Sequence, residues 1–496
     1  MSNLFEVNPI FNTDSYKLSQ FLQLPHGSEF LYSMVVPRGG KYEEIVNYGI
    51  QAYCKQYLQN IPTKGQVRRA AKYAQAHGLE FNYDGWMQLV ELGYYPINIK
   101  ALPEGTIVSN KVCIADVENT HKDFAWLVDY IETSLLRAVW YSSTVATLSY
   151  RVKAMLHKYA VKMGVDTSSI DFKLHNFGDR GASSTESAYI AGMAHLTSFL
   201  GTDCFMALDA VEHFYNFDFE TDGVAGFSVN ASQHSTITSW TNEMDAFENM
   251  ILKFGGVTPD GRPKIVVCVS DSYDIWKALE MWKMLEDQII ESGCVLVIRP
   301  DSGCPIKTPV NVIKRLFELF GYTENTVDGK TFKTLPDHIR VIQGDGVSEE
   351  SIETILENMY NDGISLNNIA FGMGGELTQK NNRDTCKWAM KGSFIRGVSE
   401  TSDGDEIVIE TFSRGFNKDP IGTSHWLDKP TGESFKRSFA GKCCVMLDDS
   451  GSYIQIPLTD ENKDKNLLQS VFTNGKMVVD EHFNTIRNRI NEKVGV

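Results

Sequence analysis

The middle of the chain alternates short apolar runs with polar or glycine-rich loops and amphipathic segments. Between Ile170 and about Gly397 the apolar runs predict strands that end near His175, Phe205, Val229, Val269, Ile298, Ile342 and Phe371, and residues 394–398 offer an eighth candidate. Apolar residues at helical spacing lie between most of these strands. Repetition of a strand, a loop and a helix predicts an α/β architecture built on parallel strands.

Two of the intervening helices carry clear start signals, and one of them also carries a stop signal. Thr308 followed by Pro309 indicates a helix N-cap and first turn, and Gly321 predicts the end of that helix. Ser348 opens another helix that has acidic residues in its first turn. Seven or eight such units favour an irregular (β/α) barrel, although a doubly wound open sheet shares the same periodicity.

The two flanking segments follow other patterns. The N-terminal segment mixes short strands with helices and contains a long helical stretch from Phe124 to Met163, whereas the C-terminal segment is rich in strands and closes with a helix. We therefore expect a mixed α+β segment over 1–165, an α/β barrel over 166–397 and a β-rich segment over 398–496. We expect the last segment to pack with the first and to form one α+β domain with it.

Composition restricts the class of protein. The 496 residues carry 63 acidic and 47 basic side chains, and the net charge of -16 argues against a nucleic-acid or anionic-membrane partner. The first residues lack a secretory signal, and no apolar run is long enough to cross a bilayer, so we expect a cytoplasmic protein. The nine cysteines form no CxxC pair and no HExxH occurs, which argues against a metal held by protein ligands alone.

Charged side chains and glycines gather where the predicted strands end. The segment Val295–Gly303 is the clearest example, because a buried strand runs directly into Arg299, Pro300 and Asp301. Parallel α/β folds place their active sites at the carboxyl ends of strands. The other strand ends contribute His175, Phe177, Arg180, Asp203, Ser228, His234, Ser270, Asp271, Asp274, Gly344, Asp345, Gly372, Gly374, Gly375 and, a turn later, Arg383.

Each of these residues also has an ordinary structural explanation. Arg299 and Asp301 could satisfy each other as an ion pair, Asp203 could cap a helix, and the glycines could simply form turns. Taken together, carboxylates, arginines and a glycine cradle describe a site for a phosphorylated sugar, with magnesium bridging substrate oxygens. The set therefore predicts an enzyme acting on a sugar phosphate.

Two other classes of protein share part of this pattern. A barrel glycosidase would use Asp301 and Asp345 as its carboxylate pair, but it would not need the arginines and glycines. A catalytically silent nucleotide-binding protein would keep the glycine cradle and lose the nucleophile, and His234 argues against that class.

Seven motifs resemble, in order, those of type II phosphoribosyltransferases, and within them the nicotinamide phosphoribosyltransferase family. They are TDSYK (13–17), KLHNFGDRGASS (173–184), HSTIT (234–238), VSDSYDI (269–275), IRPDSG (298–303), VIQGDGV (341–347) and NIAFGMGG (368–375). The resemblance implies transfer of phosphoribose from phosphoribosyl diphosphate to nicotinamide in NAD salvage, with nicotinate phosphoribosyltransferase as the alternative. It also implies Mg2+, ATP as a co-substrate through a phosphohistidine, and a homodimer with sites at the subunit interface.

The same resemblance implies a role for each matching residue. Phe177 and Tyr16 would sandwich the pyridine ring, with Tyr16 supplied by the partner subunit, and Asp203 would accept the carboxamide N–H. The catalytic group is His234 as phosphate acceptor, Asp274 to orient it, Arg299 for diphosphate and Asp301 for ribose. Arg180 belongs with the nicotinamide group and would hold phosphate. The other phosphate and ribose positions are His175, Ser228, Ser270, Gly344, Asp345, Gly374, Gly375, Arg383, Arg38, Lys391, Lys418 and Lys436.

The chain departs from the family pattern at two positions. Gln233 stands where the family usually has glutamate, which removes a negative charge beside His234. Asp179 stands where an aromatic residue is common, between the stacking Phe177 and Arg180.

Overall fold

The computed structural model describes residues 7–400, 406–412, 426–428 and 437–495. The chain divides into two compact units. The barrel unit comprises Leu148–Val211, Asp218–Asn381 and Arg487–Val496, and the antiparallel unit comprises Met1–Thr147, Glu212–Phe217 and Asn382–Ile486. These bounds differ from the sequence expectation, because residues 148–165 belong to the barrel unit and residues 382–397 to the antiparallel unit.

Seven parallel strands form the sheet of the barrel unit. They are β1 (Leu174–Asn176), β2 (Gly201–Thr202), β3 (Asn230–Ala231), β4 (Ile265–Val269), β5 (Val295–Arg299), β6 (Ile339–Gln343) and β7 (Ile369–Met373), in the order β2-β1-β7-β6-β5-β4-β3. A parallel bridge between Gly201 and Phe227 joins β2 to the segment that leads into β3. Because β2 and β3 are the two edges of the sheet, this bridge makes it an irregular, nearly closed barrel.

The expected eighth barrel strand belongs to another sheet. Residues 394–398 lie within the strand Ala389–Glu400, which pairs antiparallel with Ser28–Val36 in the antiparallel unit. The second strand is also shorter and earlier than expected, since it ends at Thr202 rather than near Phe205. An apolar run does not show which strand it pairs with, so the sequence pattern could not assign residues 394–398 to a sheet.

Inward-facing side chains alternate along the barrel strands. Val267, Val297 and Ile342 form a small interior cluster with Phe177, Val295 and Ala370. On β5, Val295 and Val297 therefore face inward, and Arg299, two residues further on, shares their face. The alternating period of the strand thus directs this arginine towards the interior at the carboxyl end of the barrel.

Amphipathic helices follow most of the barrel strands. The α-helices of this unit include Thr185–Leu196, Phe219–Asp222, His234–Thr238, Glu243–Phe254, Ile275–Met284, Glu286–Ser292, Thr308–Phe320, Glu349–Asn361 and Gly375–Thr378. The predicted end before Gly321 is confirmed, but Thr308 is the first residue of its helix rather than the N-cap, which is Lys307 and makes no side-chain capping hydrogen bond. The side chain of Ser348 accepts a hydrogen bond from the Ser351 amide and caps the helix Glu349–Asn361, as its sequence predicted.

The antiparallel unit is built on a second seven-stranded sheet. Its strand order is Glu406–Phe412, Ala389–Glu400, Ser28–Val36, Ala115–Asn119, Ile97–Ala101, Gln469–Thr473 and Lys476–Met477. The further strand pairs of this unit are Glu44–Val46 with Ile107–Ser109, Trp426–Asp428 with Arg437–Phe439, and Cys443–Leu447 with Tyr453–Pro457. Strands from both ends of the chain thus share one sheet.

Helices complete the antiparallel unit. They include Ile50–Tyr53, Lys64–Ala76, Tyr83–Leu92 and Ala125–Tyr130, while Glu132–Met163, Met206–Phe214 and Phe483–Val494 each run across a unit boundary. The core of this unit is rich in aromatic rings, among them Trp86, Trp126 and Tyr130. Within the described ranges, no helix is both long enough and apolar enough to cross a membrane.

Candidate active site

Phe177 follows β1 and packs over two glycines, Gly372 of the adjacent β7 and Gly344 directly after β6. Its amide donates to the carbonyl of Met373 at 2.9 Å, which fixes the backbone beside β7. A Cβ atom added to Gly372 would lie 2.0 Å from Cε2 of Phe177, and one added to Gly344 would lie 2.9 Å from it. The two glycines therefore provide the space that the ring occupies. Gly344, expected to face phosphate, is in contact with this aromatic ring.

Asp203 follows β2 and receives two hydrogen bonds on one oxygen. Nε2 of His175 lies 2.9 Å from Oδ1, and Oγ of Ser228 donates to the same atom at 2.7 Å. Burial favours the neutral acid, but the hydrogen bond from His175, its charge, the hydrogen bond from Ser228 and the charge of Arg299 hold the pKa of Asp203 below its usual value. Asp203 therefore presents a carboxylate, and His175 and Ser228 contact it.

Arg299 and Asp301 lie close together without a hydrogen bond between them. Nε of Arg299 is 3.7 Å from Oδ1 of Asp301, and this buried nitrogen has no hydrogen-bond partner. The backbone amide of Asp301 donates to Oδ2 of Asp271 at 2.8 Å. A buried donor without a partner is costly unless a ligand satisfies it. The arginine is therefore suited to bind an anion.

His234 begins a short helix and faces the strand ends of β4 and β5. Its Nδ1 lies 3.0 Å from Oγ of Ser272, and its Nε2 lies 3.3 Å from Oδ2 of Asp301. Oδ1 of Asp271 is 3.9 Å from Nε2, is buried and has no hydrogen-bond partner. A carboxylate beside an imidazole stabilises the protonated or phosphorylated ring, so this arrangement suits a nucleophilic histidine.

Two residues expected at the site make contacts within their own strand and helix. The side chain of Asp274 accepts from the amides of Trp276 at 3.0 Å and Lys277 at 3.4 Å, and so caps the helix Ile275–Met284. Ser270 is buried, donates to the carbonyl of Cys268 and accepts from Nε1 of Trp282, each at 3.0 Å. Asp271 and Asp301, rather than Asp274, are the carboxylates near His234.

Four other expected barrel residues lie in loops or at the start of a helix. Arg180 is exposed in the turn Asp179–Gly181, and Asp345 is exposed after β6. Gly374 and Gly375 begin the short helix Gly375–Thr378, and a Cβ atom on Gly375 would meet nothing within 4 Å. The polypeptide at Gly375 thus faces open space, which a bound ligand can enter.

Six expected residues fall outside the barrel unit. Tyr16 is 59% exposed, Arg38 donates from Nε to the carbonyl of Lys387 at 3.4 Å, and Arg383 pairs with Asp384 at 3.4 Å. Lys391 is exposed on the strand Ala389–Glu400. The remaining two, Lys418 and Lys436, lie outside the described residues.

Asp271 and Gly372 received no role from the family resemblance, although the alternation of side chains along their strands indicates which way they face. Asp271 follows Val269, as Asp301 follows Arg299, by the two-residue period of a strand. Gly372 follows the inward-facing Ala370 by the same period. Extending the inward face one step past β4 selects Asp271, and continuing it along β7 selects Gly372. Ser272 falls on the opposite face in this alternation, so the sequence does not predict its contact with His234.

Comparison with known proteins assigns the family. A model described as the nicotinate phosphoribosyltransferase (NAPRTase) family matches residues 172–406, and a nicotinamide phosphoribosyltransferase N-terminal domain model matches residues 8–99. A nicotinamide phosphoribosyltransferase from Xanthomonas campestris pv. campestris (strain 8004) is 39% identical over 484 residues, covering 95% of each chain. This chain belongs to the nicotinamide phosphoribosyltransferase family. A second member, from Acinetobacter baylyi, is 30% identical over 99% of this chain and 98% of its own.

Solved structures support the fold of this phosphoribosyltransferase. A nicotinate-nucleotide pyrophosphorylase from Pyrococcus furiosus superposes with a TM-score of 0.61 at 17% identity, over 100% of this chain and 98% of its own. Human nicotinic acid phosphoribosyltransferase superposes with a TM-score of 0.52 at 14% identity, over 97% and 93% of the two chains. The predicted fold class, an irregular type II barrel with an added α+β part, is confirmed.

Proposed function

We propose that this chain transfers the 5-phosphoribosyl group of phosphoribosyl diphosphate to nicotinamide in the cytoplasm, as a step of NAD salvage. The products are nicotinamide mononucleotide and diphosphate. The observation that carries the proposal is the pair of Asp203 and Arg299. Asp203 offers a carboxylate that contacts His175, whose ring packs against Phe177, and Arg299 offers a buried Nε without a hydrogen-bond partner. One suits an uncharged carboxamide, and the other suits a phosphate group.

Asp203 gives the ring site a preference for nicotinamide over nicotinate. The pyridine ring stacks on Phe177, and the carboxamide N–H donates to a carboxylate oxygen of Asp203. Nicotinate has no such donor, and its own carboxylate would be repelled. The lowered pKa of Asp203 supports this role, because the group stays ionised at neutral pH.

The chemistry needs charge stabilisation more than proton transfer. The nitrogen lone pair of nicotinamide forms the bond to C1 of ribose while the bond to diphosphate breaks and its electrons leave with diphosphate. Positive charge develops on the ribose ring and negative charge on the leaving group. Arg299, together with Arg180 from the turn that follows β1, holds the departing phosphates, and Asp301 binds ribose hydroxyls.

Magnesium and ATP complete the proposal. Among the described residues no three His, Cys, Asp or Glu side chains meet as a metal site, so we expect Mg2+ to be held mainly by substrate phosphates. Oδ1 of Asp271, buried without a hydrogen-bond partner, is suited to reach such an ion through water. When bound, magnesium would neutralise the charge of the leaving diphosphate.

We propose His234 as the group that couples ATP to the reaction. A ring nitrogen attacks the γ-phosphorus, so an N–P bond forms, the P–O bond to the β-phosphate breaks and ADP leaves. Asp301, 3.3 Å from Nε2, supports the charge that develops on the ring. Gln233, in place of the usual glutamate, donates from Nε2 to Oγ of Ser235 at 2.7 Å. It adds no negative charge beside the incoming ATP.

We propose a homodimer in which Tyr16 completes the site of the second copy. The segment around Tyr16 is firmly held, since Oγ1 of Thr13 donates to the carbonyl of Tyr130 at 2.8 Å and Nζ of Lys17 lies 2.6 Å from Glu132. Tyr16 itself is 59% exposed on this anchored segment. An exposed ring on a rigid support suits stacking in another subunit. Arg38, Arg383, Lys391, Lys418 and Lys436 are further proposed phosphate contacts.

Subunit mixing tests the shared site. Tyr16→Ala and Phe177→Ala should each be inactive alone, whereas an equal mixture refolded or co-expressed together should regain about a quarter of the wild-type activity. About half of the dimers are then heterodimers, and one of the two sites in each heterodimer is intact. A mixture as inactive as its components would exclude Tyr16 as a residue supplied by the partner.

Product analysis tests the reaction itself. The full-length protein is incubated with Mg2+, phosphoribosyl diphosphate and either nicotinamide or nicotinate, with and without ATP, and the products are separated by mass. We expect nicotinamide mononucleotide from nicotinamide and stimulation by ATP. In Asp203→Asn the carboxylate is replaced by an amide, so competition between the two substrates should shift towards nicotinate. An unchanged preference would remove Asp203 from the selection, and efficient use of nicotinate by the wild type would support the nicotinate enzyme instead.

A further inference from the structure

The two hydrogen bonds that Asp203 receives leave one of its oxygens unengaged. His175 and Ser228 both approach Oδ1, at 2.9 and 2.7 Å, whereas Oδ2 has no hydrogen-bond partner among the described residues. A carboxylate held at one oxygen by two donors cannot rotate without losing both hydrogen bonds. The direction in which Oδ2 points is therefore fixed by His175 and Ser228.

The imidazole of His175 is itself held by the strand next to it. His175 pairs with Gly201 in the parallel ladder between β1 and β2. A Cβ atom on Gly201 would lie only 2.5 Å from Nδ1 of His175, so the ring occupies space that another residue would fill. On its other side the ring packs against Phe177, with 5.2 Å between ring centroids. The glycine thus allows the ring to reach across to Asp203.

A second, buried histidine supports the backbone under this ring. Nε2 of His195 lies 3.1 Å from the carbonyl of Gly201, and Nδ1 lies 3.1 Å from Oγ of Ser149. Burial, with the nearby charge of His175, lowers the pKa of His195 to about 3, so the ring is neutral. A neutral ring donates from one nitrogen and accepts at the other, which matches a carbonyl and a hydroxyl.

We propose that His175 is a positioning residue that sets the preference for nicotinamide by aiming Oδ2 of Asp203 at the carboxamide N–H. This inference rests on the proposed function and gives His175 a different role from the phosphate or ribose contact that the family resemblance implies. The two roles predict effects on different substrates. Loss of a positioning residue should raise the KM for nicotinamide, whereas loss of a phosphate contact should raise the KM for phosphoribosyl diphosphate.

The test compares His175→Phe with His175→Gln in the full-length protein. Phenylalanine keeps a planar ring but removes the donor, whereas the side-chain amide of glutamine places an N–H near the original Nε2. For His175→Phe we expect the KM for nicotinamide to rise about tenfold, the cost of misaligning one hydrogen bond to a charged group, while kcat changes less than threefold. His175→Gln should restore the KM to within about threefold of wild type.

Three outcomes decide the matter. A selective rise in the KM for nicotinamide, with rescue by glutamine, supports the positioning role. A rise in the KM for phosphoribosyl diphosphate with that for nicotinamide unchanged overturns it in favour of the phosphate role. If the wild type forms no nicotinamide mononucleotide at all, the proposed function fails, and that failure is visible before any variant is made.

An independent variant guards against misfolding of His175→Phe. Gly201→Ala keeps the side chains of Asp203, Ser228 and His175 but pushes the imidazole away from Asp203, so the KM for nicotinamide should rise in the same direction. His121→Phe is the matched control, because it removes a surface histidine 3.7 Å from Asp123, outside the barrel unit. It should leave both KM values unchanged. A Gly201→Ala variant with wild-type kinetics would contradict the inference.

Discussion

Arg299 and Asp301 face each other across 3.7 Å, from Nε to Oδ1, and the arginine nitrogen makes no hydrogen bond. An Arg-Asp pair that satisfied itself would have had nothing to offer a substrate. Here Asp301 instead lies 3.3 Å from His234, and its amide is held by Asp271. Both side chains at the end of β5 therefore retain groups for binding, which is why the segment Val295–Gly303 is the centre of the proposed site.

Removing the Arg299 guanidinium should weaken the stabilisation of the departing diphosphate. For Arg299→Gln we expect kcat/KM for phosphoribosyl diphosphate to fall about 100-fold, because a charge-assisted contact to the leaving group is lost. The KM for nicotinamide should change much less. Steady-state kinetics with each substrate varied in turn measures both effects.

Arg262→Gln is a suitable control for this variant. Arg262 is an exposed arginine of the same unit whose Nε lies 2.7 Å from Asp260, so its loss removes a surface ion pair and nothing at the strand ends. If both variants lost activity to the same degree, a general effect of charge would explain the result better than a contact to diphosphate.

Adding one methyl group at Gly372 should displace the ring of Phe177. The Cβ atom of Gly372→Ala would lie 2.0 Å from Cε2 of Phe177, so the ring must move. We expect the KM for nicotinamide to rise about tenfold and the protein to lose about 2 kcal/mol of stability through overpacking. Thermal unfolding and kinetics on one preparation measure the two effects.

A double variant separates these two consequences. Phe177→Leu in the Gly372→Ala background should recover part of the stability, because the smaller side chain relieves the overlap, but it should not recover nicotinamide binding. Gly65→Ala, at an exposed position of the helix Lys64–Ala76, should leave the KM for nicotinamide unchanged and should raise stability slightly, because alanine favours a helix more than glycine does. Full activity of Gly372→Ala would mean that the ring can move without effect on substrate.

The two aspartates of the VSDSYDI motif should differ in their effect on ATP coupling. Asp271 lies 3.9 Å from His234, whereas the side chain of Asp274 caps a helix. Asp271→Asn should therefore reduce stimulation by ATP about tenfold, as His234→Ala should abolish it. Asp274→Asn should retain the stimulation, since asparagine is also a good cap.

The readouts are ATP hydrolysis and acid-labile phosphate on the protein. His234→Ala should show neither, while slow synthesis of nicotinamide mononucleotide continues without ATP. Hydrolysis of ATP by His234→Ala at the parent rate would rule out the phosphohistidine. A larger loss in Asp274→Asn than in Asp271→Asn would return the orienting role to Asp274.

Glu104 should make stability depend on pH in the antiparallel unit. Burial raises its pKa to about 7 from 4.5, although Oε1 accepts from the Gln51 amide at 2.7 Å and Oε2 from Tyr215 at 2.9 Å. Between pH 4.5 and about 7, Glu104 is protonated in the folded state and ionised in the unfolded state. The free energy of unfolding therefore falls as pH rises through this range and levels off above it.

The variant Glu104→Gln isolates this contribution. Because glutamine does not titrate, its stability relative to wild type should increase by about 3 kcal/mol between pH 4.5 and 8. Asp116, whose pKa burial raises to about 7, contributes equally to both proteins and cancels in the difference. Urea unfolding at several pH values measures the curves, and curves that run parallel would show that Glu104 ionises normally.

Local features of the fold could be predicted from the sequence with good accuracy. The bounds of β5 and of the helix Thr308–Phe320 follow from an apolar run, a start signal and a terminal glycine, all within a few residues. Such signals work because capping and amphipathicity depend on near neighbours in the chain. The strand at residues 394–398 was placed in the wrong sheet, because its partner, Ser28–Val36, is distant in sequence.

The sequence by itself determined the family, the strand ends that carry the chemistry and, through the two-residue period of a strand, that Arg299 faces inward. Only the tertiary structure decided which groups touch. It pairs Asp203 with His175, 28 residues away, and places Asp271 rather than Asp274 beside His234. These contacts depend on which strands are neighbours and on the space a glycine leaves between them. Neither property can be predicted from the local sequence pattern of a single segment.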